Sequence, residues 1–183
     1  MTDRTPEQVL RDYFHAKDEN RPHLMRQVFC EEALLRMEVK SEAIAFPAVT
    51  RGLPAISEVL VSRFAQSYEN VYSFYLSRPA GDVEAFGCDW LVGMSVKGSG
   101  ELRVGCGRYD WRFRRGQPLL ANVLAITIEQ MQVLPAQQAD AVFAWLTGLS
   151  YPWTSAQAVL AAAPDIPALV PVLQHLGREA ARC

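Results

Sequence analysis

GRYDWRFRRG, residues 107–116, changes character at nearly every step. Tyr109, Trp111 and Phe113 fall on one face of a strand, while Arg108, Asp110, Arg112 and Arg114 fall on the other. The flanking turns set a register. In KGSG, Gly98-Ser99 fits a two-residue II′ loop, because glycine tolerates positive φ at the first central position. Lys97 then pairs with Gly100, Asp89 with Arg108, Trp90 with Gly107, Cys88 with Tyr109 and Phe86 with Trp111. One register thus gives an opposite-charge pair on one face and an aromatic pair on the other, and a one-residue slip would mix the faces. In RRGQ, Arg115-Gly116 as the loop pairs Arg114 with Gln117. That sets Trp111 opposite Leu120, Tyr109 opposite Asn122 and Gly107 opposite Leu124.

The expected inner face therefore carries Phe86, Cys88, Trp90, Val92, Tyr109, Trp111, Phe113, Leu120, Asn122 and Leu124. Cys88, Tyr109 and Asn122 form a row across three strands. The outer face holds Asp89, Arg108, Asp110 and Arg112, together with Leu91, Gly93, Val104, Cys106, Val123 and Ala125. Such an apolar patch calls for a sheet-to-sheet contact with a second copy or for cover by C-terminal helices.

Three helices precede this β region. Thr5-Pro6-Glu7-Gln8 is a capped helix start, with Pro6 at the first helical position. Val9, Leu10, Tyr13, Phe14 and Ala16 follow at helical spacing, and DENRP breaks the helix. His15 and Asp18 flank the apolar stripe and read as a solvated helix face. A second helix is expected with Leu24, Met25, Val28 and Phe29 inward, then a strand from Ala33 to Val39. A third helix runs from Leu53 to about Tyr68. VYSFYLS, VEAFGCDWLVGMSV, LRVGCGRYDWRF and LLANVLAITIEQMQV then make a meander of antiparallel strands, an α+β order. Helices return from Ala136 to the end. The expected division is a domain over residues 1–134 and a helical extension, residues 135–183, packed on it.

Of 183 residues, 50% are hydrophobic and 21% charged, with a net charge of −2. That suits one core-forming soluble chain and gives no general pull toward nucleic acid or an anionic membrane. No apolar run approaches a membrane span and MTDRTPEQVL lacks a signal-peptide core, so a cytoplasmic protein is expected. Cys30, Cys88, Cys106 and Cys183 share no C-x-x-C spacing, and His15, His23 and His175 are scattered. Buried free thiols are expected, with no metal site and no cofactor.

The chain resembles the nuclear transport factor 2-like superfamily, the cone-shaped α+β fold shared by ketosteroid isomerase, scytalone dehydratase and SnoaL-type polyketide cyclases. The resemblance rests on TPEQVLRDYFHAKDEN, HLMRQVFCEEALLRME, RGLPAI, and RYDWRF followed by RRGQPLL, and covers about residues 5 to 131. It implies a curved antiparallel sheet packed on N-terminal helices, with the C-terminal helices added. The family's isomerases use a phenol on the first helix, a carboxylate base and a protonated acid on the strand that ends in an aromatic-Arg-Phe pattern. Tyr13 stands at the phenol position, Met37 at the base position and Tyr109 at the acid position. Glu38 is adjacent but points away on a regular strand. Two phenols donate hydrogen bonds yet are poor bases near neutrality, so isomerisation lacks its base.

The sequence therefore predicts a pocket for a small apolar, ring-containing metabolite, lined by Tyr13, Met37, Cys88, Trp90, Tyr109, Trp111 and Asn122, with catalytic residues unassigned. Cyclase, isomerase or dehydratase-like turnover without a cofactor is compatible with it, and Glu38 and Asp89 are the carboxylates to examine. A second copy is expected on the outer sheet face. The rival is a non-catalytic interaction module of the same fold. A cavity of about a few hundred Å³ touching Tyr13, Tyr109 and Asn122 would separate the two.

Overall fold

A computed structural model describes residues 4–182. Helix α1 (Pro6–Asp18) starts where the capping box predicts: Gln8 N–H donates to Thr5 Oγ1, and Thr5 N–H donates to the Gln8 side chain. HLMRQ forms only a short 3₁₀ turn, Pro22–Gln27, and Phe29 already belongs to strand β1 (Phe29–Val39). A short strand β2 (Val49–Arg51) follows. The third helix is divided into α2 (Leu53–Ser57), a π-helical turn (Glu58–Ser62) and α3 (Phe64–Ser67). The wide turn buries three consecutive residues, Val59, Leu60 and Val61, which a regular helix would not.

Strands β3 (Tyr68–Tyr75), β4 (Ala85–Val96), β5 (Leu102–Arg114) and β6 (Leu120–Leu134) form the expected antiparallel meander. The sheet order is β2-β1-β6-β5-β4-β3, and β1 runs parallel to β6. The sheet is thus mixed rather than antiparallel throughout. Curved around α1 and the divided helix, it makes the cone of an α+β fold.

The β4–β5 register is the one predicted, with Asp89 opposite Arg108, Cys88 opposite Tyr109 and Phe86 opposite Trp111. Gly98 takes a positive φ, +85°, but the turn is wider than the expected two-residue loop: Gly100 N–H donates to Val96 C=O at 2.9 Å, so Lys97 and Gly100 do not close it as a pair. The β5–β6 register differs. The turn is a five-residue loop between paired Arg114 and Leu120, and two irregularities follow along β6. Phe113 pairs with Ala121 and Arg112 with Val123, so Asn122 is the extra residue of a bulge. Tyr109 consequently faces Ile126, not Asn122.

Each sheet face has its own core. The concave face packs Tyr13, Phe14, Phe29, Leu35, Trp90, Tyr109, Trp111 and their neighbours. On the outer face, Phe74, Leu91, Leu102, Val104, Cys106 and Leu134 lie under α4 (Ala139–Thr147), α5 (Ala156–Ala162) and α6 (Val170–Ala180). The chain's own helices therefore occupy much of the face on which a second copy was expected. A strip containing Arg36, Asp110, Arg112, Val123 and Ala125 stays open. No helix among the described residues is long and apolar enough to cross a membrane.

The extension is fastened at its middle by Trp153. Tyr75 N–H donates to Pro152 C=O at 2.8 Å, and Thr154 N–H donates to Tyr75 C=O at 3.0 Å, which covers the β3 edge. The Trp153 ring stacks near Tyr75, with the Arg11 and Arg78 guanidinium carbons 4.7 and 4.9 Å from its centre. Glu7 holds Arg78 through two hydrogen bonds. Because the ring is only half-buried, Trp153→Ala is expected to cost about 2–3 kcal/mol, below the range for a fully buried tryptophan. Urea unfolding followed by circular dichroism measures this, and an unchanged midpoint would show that the fastening contributes nothing.

Candidate functional site

Helix α1 crosses the concave face and presents Tyr13 and Lys17 one turn apart, on the same side. Strand β3 presents Ser73, β4 presents Trp90, Val92 and Met94, and β5 presents Tyr109. Met37 of β1 and Ile126, Ile128 and Met131 of β6 complete the walls, with Ile44, Phe46, Leu60 and Phe64 at the rim. These residues line a cavity of about 50 Å³. That is room for one or two water molecules at roughly 30 Å³ each, far below the ~300–1,000 Å³ of a ligand cleft. The large aromatic side chains leave little space, and the expected volume of a few hundred Å³ is not present.

The sequence-derived residues divide into two groups. Tyr13, Met37, Trp90 and Tyr109 line the cavity. Cys88 is buried beside them but not on the wall, and burial pushes its thiol well above its usual range. Trp111 packs edge-on to Tyr13 at 5.1 Å and parallel to Phe29, deeper in the core. Asn122 does not line the cavity; the bulge turns it aside, and its buried Oδ1 has no partner within the protein. Glu38 is exposed. Asp89 lies on the outer face, 3.8 Å from Arg108, where burial raises its pKa. Neither carboxylate reaches the cavity.

A polar cluster that sequence reasoning missed sits at the cavity wall. Lys17 Nζ is 2.5 Å from Asp18 Oδ1 and donates to Ser73 Oγ at 2.9 Å. Ser73 donates its hydroxyl to Asp18 Oδ1 at 3.0 Å and its backbone N–H to Asp18 Oδ2 at 3.1 Å. Side-chain exposure is only 9% for Lys17 and 5% for Asp18, so Asp18 is no solvated helix residue. Burial raises the Asp18 pKa despite the opposing ammonium and the bonds from Ser73. Lys17 and Ser73 line the cavity, while Asp18 stands behind them and borders an outer groove with Glu19, Tyr72 and Tyr151.

The phenols complete the polar set. Tyr13 and Tyr109 are fully enclosed, and burial holds both pKa values above the ordinary phenol value, so both are protonated donors at neutral pH. Their rings meet edge to face, with centroids 6.0 Å apart. Tyr75, stacked on Phe14 at 3.8 Å, is satisfied by donating to Leu10 C=O. The Trp90 indole N–H is buried without a partner within the protein. The cavity is thus mostly apolar, with Lys17, Tyr13 and Trp90 on its wall and the Trp90 indole N–H left without a partner within the protein.

The sequence hints at Lys17, which follows Tyr13 by four residues on the buried stripe. Ser73 had no such signal, because VYSFYLS is apolar on both faces.

No family model and no curated protein matches the sequence. Solved structures do match. A nuclear transport factor 2-like superfamily protein from Salmonella enterica serovar Typhimurium is 14% identical, with 68% of this chain and 88% of that chain covered and a TM-score of 0.55. A protein with a ketosteroid isomerase-like fold from Catenulispora acidiphila is 20% identical over 67% of this chain and 85% of its own, with a TM-score of 0.51. A hexachlorocyclohexane dehydrochlorinase, LinA type 2, is 12% identical over 69% and 84%, with a TM-score of 0.53. At these identities the likeness concerns architecture. The chain has the nuclear transport factor 2-like fold, with a set of C-terminal helices packed on the outer face of its sheet.

Proposed function

We propose that the protein binds a compact, apolar small molecule carrying one hydrogen-bond acceptor inside the cone. One observation carries this: Lys17, Tyr13 and Trp90 line a mostly apolar cavity, and the buried Trp90 indole N–H has no partner within the protein. Buried donors left without an acceptor cost free energy, and a ligand oxygen would satisfy them. At about 50 Å³ the cavity is too small for a ligand as it stands, and binding requires its walls to widen. Ile44 and Phe46 lie on an irregular segment between β1 and β2, Phe64 follows the π-helical turn, and three of the walls are methionines. Unbranched thioethers re-pack easily.

Isomerase, dehydratase or dehydrochlorinase-type elimination is compatible with the fold of the neighbours. Asp18 is the carboxylate nearest such chemistry, reached only through Ser73 and Lys17. The small volume favours the rival, a solid cone acting as an interaction module. Titration with cyclohexanone, cyclohexanol and methylcyclohexane, followed by NMR and thermal unfolding, separates the two. A saturating acceptor-bearing compound is expected to shift Tyr13, Trp90 and Tyr109 resonances and raise Tm by roughly 5–10 °C. Absence of any shift with all three compounds would leave the interaction module as the better account.

A further inference from the structure

Three lysines stand against fifteen arginines in the chain. Arginine supplies most of the positive charge, Lys40 and Lys97 are exposed, and the cation buried at the cavity is Lys17. The distinction has chemical weight. A guanidinium stays charged, whereas an ammonium beside a buried carboxylate can release its proton and become a nucleophile.

We propose that Lys17 is a nucleophile that condenses with a small aldehyde or ketone in the cavity to form an imine, an activity that rests on the cavity being a ligand site. Three features of the geometry converge on it. The first is the proton acceptor, Asp18, at 2.5 Å from Nζ and held in place by both Ser73 donors. The second is the group that receives the carbonyl oxygen: Tyr13 lies one helical turn before Lys17 and lines the same cavity, with its phenol kept protonated by burial. The third is the mostly apolar lining, which disfavours water beside an imine.

Charge selects the ligand class. Lys17 and Asp18 together are neutral, so a bound carboxylate would leave one buried negative charge unpaired, and a cation would meet the ammonium. An alcohol would leave its own O–H without an acceptor among the inward donors, whereas a carbonyl oxygen only accepts.

The steps balance. Lys17 passes one ammonium proton to Asp18, and the freed nitrogen lone pair forms the C–N bond as the carbonyl π electrons move to oxygen. That oxygen takes a second proton from the nitrogen, giving a carbinolamine. Asp18 returns its proton through Ser73, whose hydroxyl takes it and passes its own proton to the carbinolamine hydroxyl; the C–O bond breaks, and water leaves as the nitrogen lone pair forms C=N. The nitrogen keeps its third proton, so the product is an iminium ion opposite the Asp18 carboxylate. No oxidant or reductant is consumed.

The test incubates the wild-type chain with butanal and sodium cyanoborohydride at neutral pH and maps the butylated lysine by mass spectrometry. Because the mapping is done on the wild type, it does not depend on a variant folding. Lys17 is expected to be labelled at least about tenfold faster than exposed Lys40 and Lys97. In Asp18→Asn the Lys17 rate should fall on the order of a hundredfold, the usual scale for a lost proton acceptor, with Lys40 and Lys97 unchanged. Labelling of Lys17 no faster than Lys40 and Lys97 would overturn the proposal. If butanal shifts the Tyr13 and Trp90 resonances while Lys17 stays unlabelled, imine formation is refuted and the ligand site survives. If there is neither label nor shift, both fail together.

Discussion

Gly107→Ala is expected to destabilise the fold by about 3 kcal/mol or more, as steric insertion into a packed core does when backbone has to yield. A Cβ at Gly107 would lie 1.9 Å from the Thr127 carbonyl oxygen and 2.8 Å from Trp90 Cζ2. Neither obstacle is the free end of a flexible side chain. Strand β6 crosses closely at this point because Glu129 is an extra residue between the Cys106–Gln130 and Gly107–Ile128 pairs. Gly87→Ala is the control. Its Cβ would come even within 2.4 Å of an atom, but that atom is Arg108 Nη2, and the next is Asp110 Oδ1 at 2.7 Å. Both are ends of outward-facing side chains that can swing away, so a change below about 1 kcal/mol is expected. Chemical denaturation of the two variants side by side measures the contrast. Equal, small effects would mean that β5 and β6 adjust freely and that the close crossing constrains little.

The same crossing marks how far the sequence could be read. Alternation along GRYDWRFRRG, with Gly98 at the hairpin tip, sufficed to give every β4–β5 pair, because the KGSG turn fixes register and a slip would have put Asp89 among aromatics. It failed on β6 for two physical reasons. RRGQPLL makes a longer loop than its Arg-Gly pair suggests, and a bulge adds a residue to one strand without any requirement for a special side chain. Asn122 was the casualty, and Ile126 took its place opposite Tyr109. The parallel docking of β1 on β6 was likewise invisible, since no short turn joins them. The apolar outer face was read correctly as needing cover, and α4 to α6 supply it over Leu91, Val104 and Cys106.

The interior was legible by residue type and not by volume. Tyr13, Met37, Trp90 and Tyr109 meet as alternation and helical spacing imply, but whether four such side chains leave a void depends on strand curvature and rotamers. Lys17 and Asp18 were lost for a different reason. Adjacent charged residues near a helix end normally face water, and here β3 closes over them, with Ser73 donating twice to the carboxylate. Only the pairing of three residues from two distant segments makes their burial tolerable.

That dependence predicts the second large effect. Lys17→Met keeps much of the side-chain length but removes the ammonium, leaving Asp18 95% enclosed with only Ser73 as partner. Removing one member of a buried pair costs about 3–5 kcal/mol, most of it the burden of the orphaned charge. The carboxylate can relieve this by binding a proton, so the loss has a definite pH dependence. Burial already raises the Asp18 pKa in the native protein, and without the ammonium that lowers it the folded-state value rises further. Below the unfolded-state pKa, about 3.9, both states are protonated and the variant keeps its stability. As pH rises through the window up to the folded-state pKa, the unfolded chain holds fewer protons than the native one, and stability falls. Urea midpoints from about pH 4 to pH 8 should therefore show the variant diverging progressively below wild type. Adding Asp18→Asn to Lys17→Met removes the titrating group while keeping an oxygen for the Ser73 donors. The double variant should regain at least half of the lost stability near neutrality and lose the steep pH dependence. A single variant within about 1 kcal/mol of wild type at every pH would mean that Asp18 reaches solvent through the outer groove, and that Lys17 is not the ion that holds it.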